Sequence, residues 1–163
     1  MDSLTGAVAS ERVTEAPKGS PNKLGSSNML ADEFIRGAQE VGHTVQVIDA
    51  AHSDIHPCTG CIYCGYERPC VQKNDVERFR DEILDADMMV FVTPLYYYGM
   101  SAQLKTLIHR FCAFNSSIQH KHMKSAMLAA VWNSDGMERK GRKEKRNYAK
   151  KFSALLCIQP LNF

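Results

Sequence analysis

The stretch Met88–Phe111 reads MMVFVTPLYYYGMSAQLKTLIHRF, and its pattern changes twice. Met88–Thr93 is a near-continuous apolar run, the mark of a strand buried on both faces of a parallel sheet. Pro94–Met100 carries a proline, a glycine and three consecutive tyrosines, which is loop composition. From Ser101 to Phe114 the apolar residues Leu104, Leu107, Ile108 and Phe111 recur at helical spacing. Strand, loop and helix in direct succession form half of a βαβ unit.

The same alternation extends in both directions. On the N-terminal side, Asp75 is expected to cap a helix through about Ala86, and Thr44–Ile48 (TVQVI) reads as a β-branched strand. Before that, Ser26 or Ser27 is expected to cap a helix through about Val41, with Leu30, Phe34, Ala38 and Val41 as its buried stripe and Gly42 closing it. On the C-terminal side, Ala126–Trp132 is the next apolar strand. The predicted architecture is α/β: a three-layer open parallel sheet with helices on both faces. The ends fit it less well. Residues 1–18 carry Glu11, Arg12, Glu15 and Lys18, with Pro17 where a ladder N–H is needed, so they read as a loose arm. Residues 137–163 read as an atypical basic segment. The sheet is therefore expected to be incomplete at its first and last strands, around a domain of residues 19–136.

The chain of 163 residues is 44% hydrophobic and 23% charged, enough for one domain with a dry core. No apolar run is long enough to span a bilayer, and Met1–Lys18 lacks the apolar core of a leader, so a reducing cytoplasmic setting is expected. There, six cysteines read as thiols or metal ligands before disulfides. The net charge of +2 conceals a basic run, Glu138–Lys151, where eight Lys/Arg meet two Glu. A solvated helix face accounts for such a run, and neither nucleic acid nor membrane is expected as a partner.

Ligands of open parallel sheets bind beyond the carboxyl ends of the strands, so the loops there carry the candidates. Gly19–Ser27 (GSPNKLGSS) runs into a helix N-terminus, where unpaired N–H groups and the helix dipole favour an anion. Ser20, Asn22, Ser26 and Ser27 offer short polar side chains, and Gly25 permits close backbone approach. Pro94, Leu95, Tyr96, Tyr97, Tyr98, Gly99 and Met100 form a loop suited to a flat conjugated ring. Cys58, Cys61, Cys64 and Cys70 follow a C-x2-C-x2-C-x5-C spacing. Such thiols can hold a [4Fe–4S] cluster or zinc, or act as free redox-active groups. His52 and His56 flank them and read as surface residues, whereas Cys112 reads as a small core hydrophobe. No G-x-S-x-G, H-E-x-x-H or G-x-x-x-x-G-K-[ST] hydrolase or nucleotide motif is present.

GSPNKLGSS, HPCTGCIYC and TPLYYYGMSAQLKTLIHRF, in that order, resemble the NADPH-dependent FMN reductase and iron–sulfur flavoprotein group of flavodoxin-like proteins. The resemblance covers about Gly19 to Asp135. It implies that Ser20, Asn22, Gly25, Ser26 and Ser27 cradle the FMN phosphate, that Pro94–Met100 wraps the isoalloxazine ring, and that Asn133 and Ser134 lie in a third flavin-contacting loop. It further implies an oxidoreductase that passes electrons from NAD(P)H through FMN to a quinone, a flavin or another small acceptor, and a homodimer. An electron-transfer protein with a cluster beside FMN is the alternative. A degenerate copy that binds no flavin, suggested by the missing first strand, is another.

Overall fold

The computed structural model describes residues 13–120, 125–131 and 155–159. In chain order these form β1 (Val13–Lys18), α1 (Ser26–Glu40), β2 (Thr44–Asp49), α2 (Val76–Asp85), β3 (Met88–Tyr96), β4 (Gly99–Met100), α3 (Ala102–Arg110), a 3₁₀ turn (Phe111–Phe114), α4 (Asn115–His120), β5 (Ser125–Val131) and β6 (Leu155–Gln159). The sheet order is β2-β1-β3-β5-β6, with β4 folded back on β3. Strands β2, β1, β3 and β5 are parallel.

Two expectations about the ends are corrected. Val13–Lys18 is no loose arm; it is an interior strand with β2 on one side and β3 on the other. The proline is tolerated because the β1–β3 ladder runs Thr14–Met88, Glu15–Met89, then Lys18–Val92, and skips Ala16 and Pro17. Its ring, meanwhile, is fully buried. Lys18 reaches the surface through an ion pair with Asp32 on α1. Glu15 is 0% exposed, with no hydrogen-bond partner for either carboxylate oxygen. Burial, with Glu82 nearby, raises its pKa to about 7, so the fold holds it as the neutral acid over most of the acidic range. At the other end, Leu155–Gln159 does supply an edge strand, but antiparallel to β5, with Ala130 opposite Leu155.

The three layers follow from the alternation of side chains along the strands. Met89 of β3 and Ile48 of β2 point to one face, into a core with Val76, Phe79 and Ile83 of α2, Leu107 of α3 and Phe114. Val90 and Val92 point to the other, onto Ala31 of α1 with Met127 and Ala129 of β5. In register with Met89, Glu15 faces the α2–α3 side. The chain winds from β1 outward to β2, then from β3 outward through β5. The direction therefore reverses between β1 and β3, and a crevice opens beyond their carboxyl ends.

Local details adjust several boundaries. Gly25, not Ser26 or Ser27, is the N-cap of α1. Val41 lies past the end of α1 and is exposed. Asp75 stands at the N-cap of α2, yet its carboxylate accepts from the Asp54 N–H at 2.8 Å, while Asn74 Oδ1 accepts from Val76 N–H. Cys112 is exposed rather than a core residue, because the helix tightens to 3₁₀ at Phe111 and the apolar phase turns with it. No helix among the described residues is long and apolar enough to cross a membrane.

Candidate functional site

The loop after β1 and the hairpin after β3 meet at the reversal point. Gly19 N–H donates to Val92 O at 2.8 Å, which sets the loop against the end of β3. Ser20 is buried, and Asn22 N–H donates to its Oγ. Asn22 O accepts from Gly25 N–H at 2.8 Å and from Asn28 Nδ2 at 3.0 Å. A Cβ at Gly25 would sit 2.9 Å from Asn22 O, so the turn closes too tightly for a side chain. Helix α1 then begins with no side-chain cap and no acidic residue in its first turn. Its orphan N–H groups and positive dipole end are left for an external anion. Asn28 is buried, with Oδ1 lacking a partner. An uncapped helix start, a glycine-tight turn and an orphaned amide oxygen together fit a phosphate monoester, which offers both acceptor oxygens and, when protonated, a donor.

Ser20, Asn22, Gly25, Ser26 and Ser27 thus fall in one continuous turn. Beside them, Leu95 pairs with Met100 and Tyr96 with Gly99 across a two-residue hairpin. Tyr97 and Tyr98 form its tip with φ of 45° and 64°, the signature of a primed turn. For tyrosine this backbone is strained. Both rings stand 97% and 94% exposed, edge to face at 5.7 Å. Pro94, Leu95, Gly99 and Met100 are half-buried at its base. Asn133 and Ser134 lie outside the described residues.

The cysteine loop is built differently. Cys58 and Cys61 are exposed, while Cys64 and Cys70 rest half-buried against the α2–α3 core. Backbone N–H of Tyr63, and then the Thr59 hydroxyl, hold the Cys61 thiol below its ordinary pKa. Among the described residues no three Cys, His, Asp or Glu side chains gather as a metal site requires. As placed, the four thiols do not fit a cluster. The loop is fastened at its neck by Arg110, whose buried guanidinium donates to His56 O at 3.0 Å and to Gln72 Oε1 at 3.1 Å. Gln72 Nε2 in turn donates to Pro57 O. His52 and His56 are surface residues, paired with Asp49 and Asp54.

Sequence reasoning missed Asn28 and Arg110, and it gave Gly19, Thr93 and Ser101 no role beyond opening a loop or a helix. Ser101 carried a usable signal, a serine immediately before a helical apolar phase, and it is the N-cap of α3 with Leu104 N–H donating to its Oγ. Asn28 carries no such signal, because it closes the polar run Ser26–Asn28 just before Met29 and Leu30.

The profile of a family described as NADPH-dependent FMN reductase matches residues 18–151. An iron–sulfur flavoprotein of Methanocaldococcus jannaschii is 29% identical over 118 residues, 72% of this chain and 61% of that protein. One of Archaeoglobus fulgidus is 29% identical over 96 residues, 59% of this chain and 44% of that one. The chain thus spans about half the length of these two relatives. Among solved structures, the NAD(P)H:quinone oxidoreductase of Methanothermobacter marburgensis superposes with a TM-score of 0.64 at 18% identity, over 86% of this chain and 71% of that one. RosB, solved with a bound 8-demethyl-8-formylriboflavin-5′-phosphate, gives 0.56 at 13% identity, over 85% and 59%. At such identities the superpositions establish the fold.

Proposed function

The chain belongs to the NADPH-dependent FMN reductase family, and on that premise we propose that it holds FMN at the β1–β3 crevice and passes electrons from NAD(P)H to a small acceptor such as a quinone or flavin. The observation that carries this reading is the uncapped start of α1 behind the Gly19–Gly25 turn, adjoining the tyrosine hairpin. The N–H groups of Ser26 and Ser27 and the side chains of Ser20 and Asn22 bind the phosphate. The hairpin base, Pro94–Tyr96 with Gly99 and Met100, orients the ring and keeps water from one side of it. Bound FMN supplies the hydride and electron chemistry, so no side chain of this site has to act as acid or base. The nearly full exposure of Tyr97 and Tyr98 supports a homodimer that covers the hairpin tips, and a reducing cytoplasmic setting goes with the free thiols.

The test is the anaerobic absorption spectrum of the purified protein, with iron determined on the same sample and FMN then titrated in. Two flavin bands, no iron and NAD(P)H-dependent bleaching are the expected result; a protein that stays colourless with added FMN overturns the reading. The likeness to iron–sulfur flavoproteins favours a second reading, electron transfer through a cluster. The thiol placement speaks against it, and about four irons per chain would decide for it.

A further inference from the structure

Ser101 is fully buried and uses every hydrogen-bonding group it has. Its Oγ–H donates to Gly19 O at 2.6 Å, across 82 residues of sequence. The same Oγ accepts from Leu104 N–H at 3.3 Å. Its backbone N–H donates to Thr93 Oγ1 at 2.9 Å, and Thr93, also fully buried, donates on to Pro94 O at 2.9 Å. Two short relays therefore leave one residue. One runs from the first turn of α3 to the opening carbonyl of the phosphate turn, the other from the Ser101 peptide to the base of the tyrosine hairpin. Space is as tight as the bonding: a Cβ on Gly19 would lie 2.6 Å from Ser101 Oγ and 2.6 Å from Leu104 Cβ.

We propose that Ser101, acting with Thr93, is a positioning residue that couples the phosphate turn to the hairpin, so that the two ends of a flavin mononucleotide bind cooperatively. This rests on the FMN reading for its ligand, although not for its geometry. With the relay intact, an occupied phosphate turn fixes Gly19 O, hence the Ser101 side chain and the peptide that carries it, and through that peptide's N–H the Thr93–Pro94 base on which the ring lies. With the relay cut, each loop orders alone, and the entropy of ordering is met twice.

The experiment compares wild type with Ser101→Ala, Thr93→Val and Thr93→Ser. Amide exchange is followed in the FMN-free proteins, and dissociation constants are measured for FMN and for riboflavin, which lacks the phosphate. Ser101→Ala is expected to weaken FMN about tenfold more than riboflavin, because the phosphate no longer organises the ring end. Thr93→Val shows the same loss of preference, and Thr93→Ser, which keeps the hydroxyl, restores it to within about twofold. In the FMN-free proteins, Ser101→Ala speeds exchange in residues 19–25 and 94–100 together while α2 and β5 stay protected. An unchanged FMN-to-riboflavin preference in Ser101→Ala, or exchange that rises evenly across the molecule, overturns the coupling. A wild type that binds neither flavin, yet shows the paired exchange response in Ser101→Ala, keeps the coupling and overturns the FMN reading instead.

Discussion

The turn from Gly19 to Gly25 and the loop from Pro57 to Val71 both carry dense motifs, but they are fixed in different ways. In the first, successive groups are tied by buried or short-range hydrogen bonds, from Gly19 O on Ser101 to Asn22 O on Asn28. In the second, the anchorage lies at the neck, through Arg110 and Gln72, and the sulfur-bearing arc between is mostly exposed. A spacing of cysteines states which atoms could meet. It does not bring them together, because each thiol offers only weak hydrogen bonding. Glycines and serines beside a helix start leave fewer choices, since the orphan N–H groups must point somewhere.

The largest effect that could break this contrast comes from beneath the Gly19–Gly25 turn. Glu15, four residues before Gly19, has its pKa raised from 4.5 to about 7. Its folded form therefore keeps a proton that the unfolded chain loses first, and stability is full below pH 4.5 and declines as pH rises through 7. The loss is of order 3 kcal/mol. Urea unfolding of wild type minus Glu15→Gln should show that slope between pH 4.5 and 7; a flat difference would mean the carboxyl is solvated and β1 is looser than described. Next, Gly19→Ala forces a Cβ into Ser101 and Leu104 and should cost about 2 kcal/mol, read as a lower urea midpoint with weakened FMN binding.

The remaining changes sharpen the contrast from the other side. Tyr98→Gly relieves a positive φ at the hairpin tip and should raise stability by about 1 kcal/mol in thermal unfolding, even as it removes an exposed ring. Arg110→Met should shift global stability by about 1 kcal/mol or less. The same change makes residues 57–71 the first site of limited proteolysis, because the neck no longer closes. Cys58→Ser, in the exposed arc, should stay within about 0.5 kcal/mol of wild type. A drop of several kcal/mol there would show that the thiols are gathered in solution by a metal.

Much of this was legible. The apolar run of β3 and the helical phase of α3 declare themselves, because a doubly buried strand and a half-buried helix leave opposite imprints. The Gly19–Ser27 turn declared itself by glycines and serines running into a helix start, and the Pro94–Met100 loop by its place after a buried strand. Val13–Lys18 was not legible, since Glu15 and Pro17 each contradict a buried strand locally. The conflict is resolved only by partners remote in sequence: a gap in the β3 ladder beside the proline, and a core that keeps the acid neutral. Ser101 was hidden for a similar reason. A helix cap can be read from its neighbours, but the carbonyl that accepts its hydroxyl lies 82 residues earlier.

That separation also orders events in time. Val13 is joined to Asp87, 74 residues on, and Gly19 to Ser101, so β1 and its turn are made early and completed late. While β2 and α2 emerge, the strand that carries the Gly19–Gly25 turn has one neighbour at most, and its buried acid faces water at little cost. Closure waits for β3, and pairings that distant are slow to form. Folding of this chain should therefore end at the β1–β3 crevice, and the proposed cofactor would enter at the last step rather than the first.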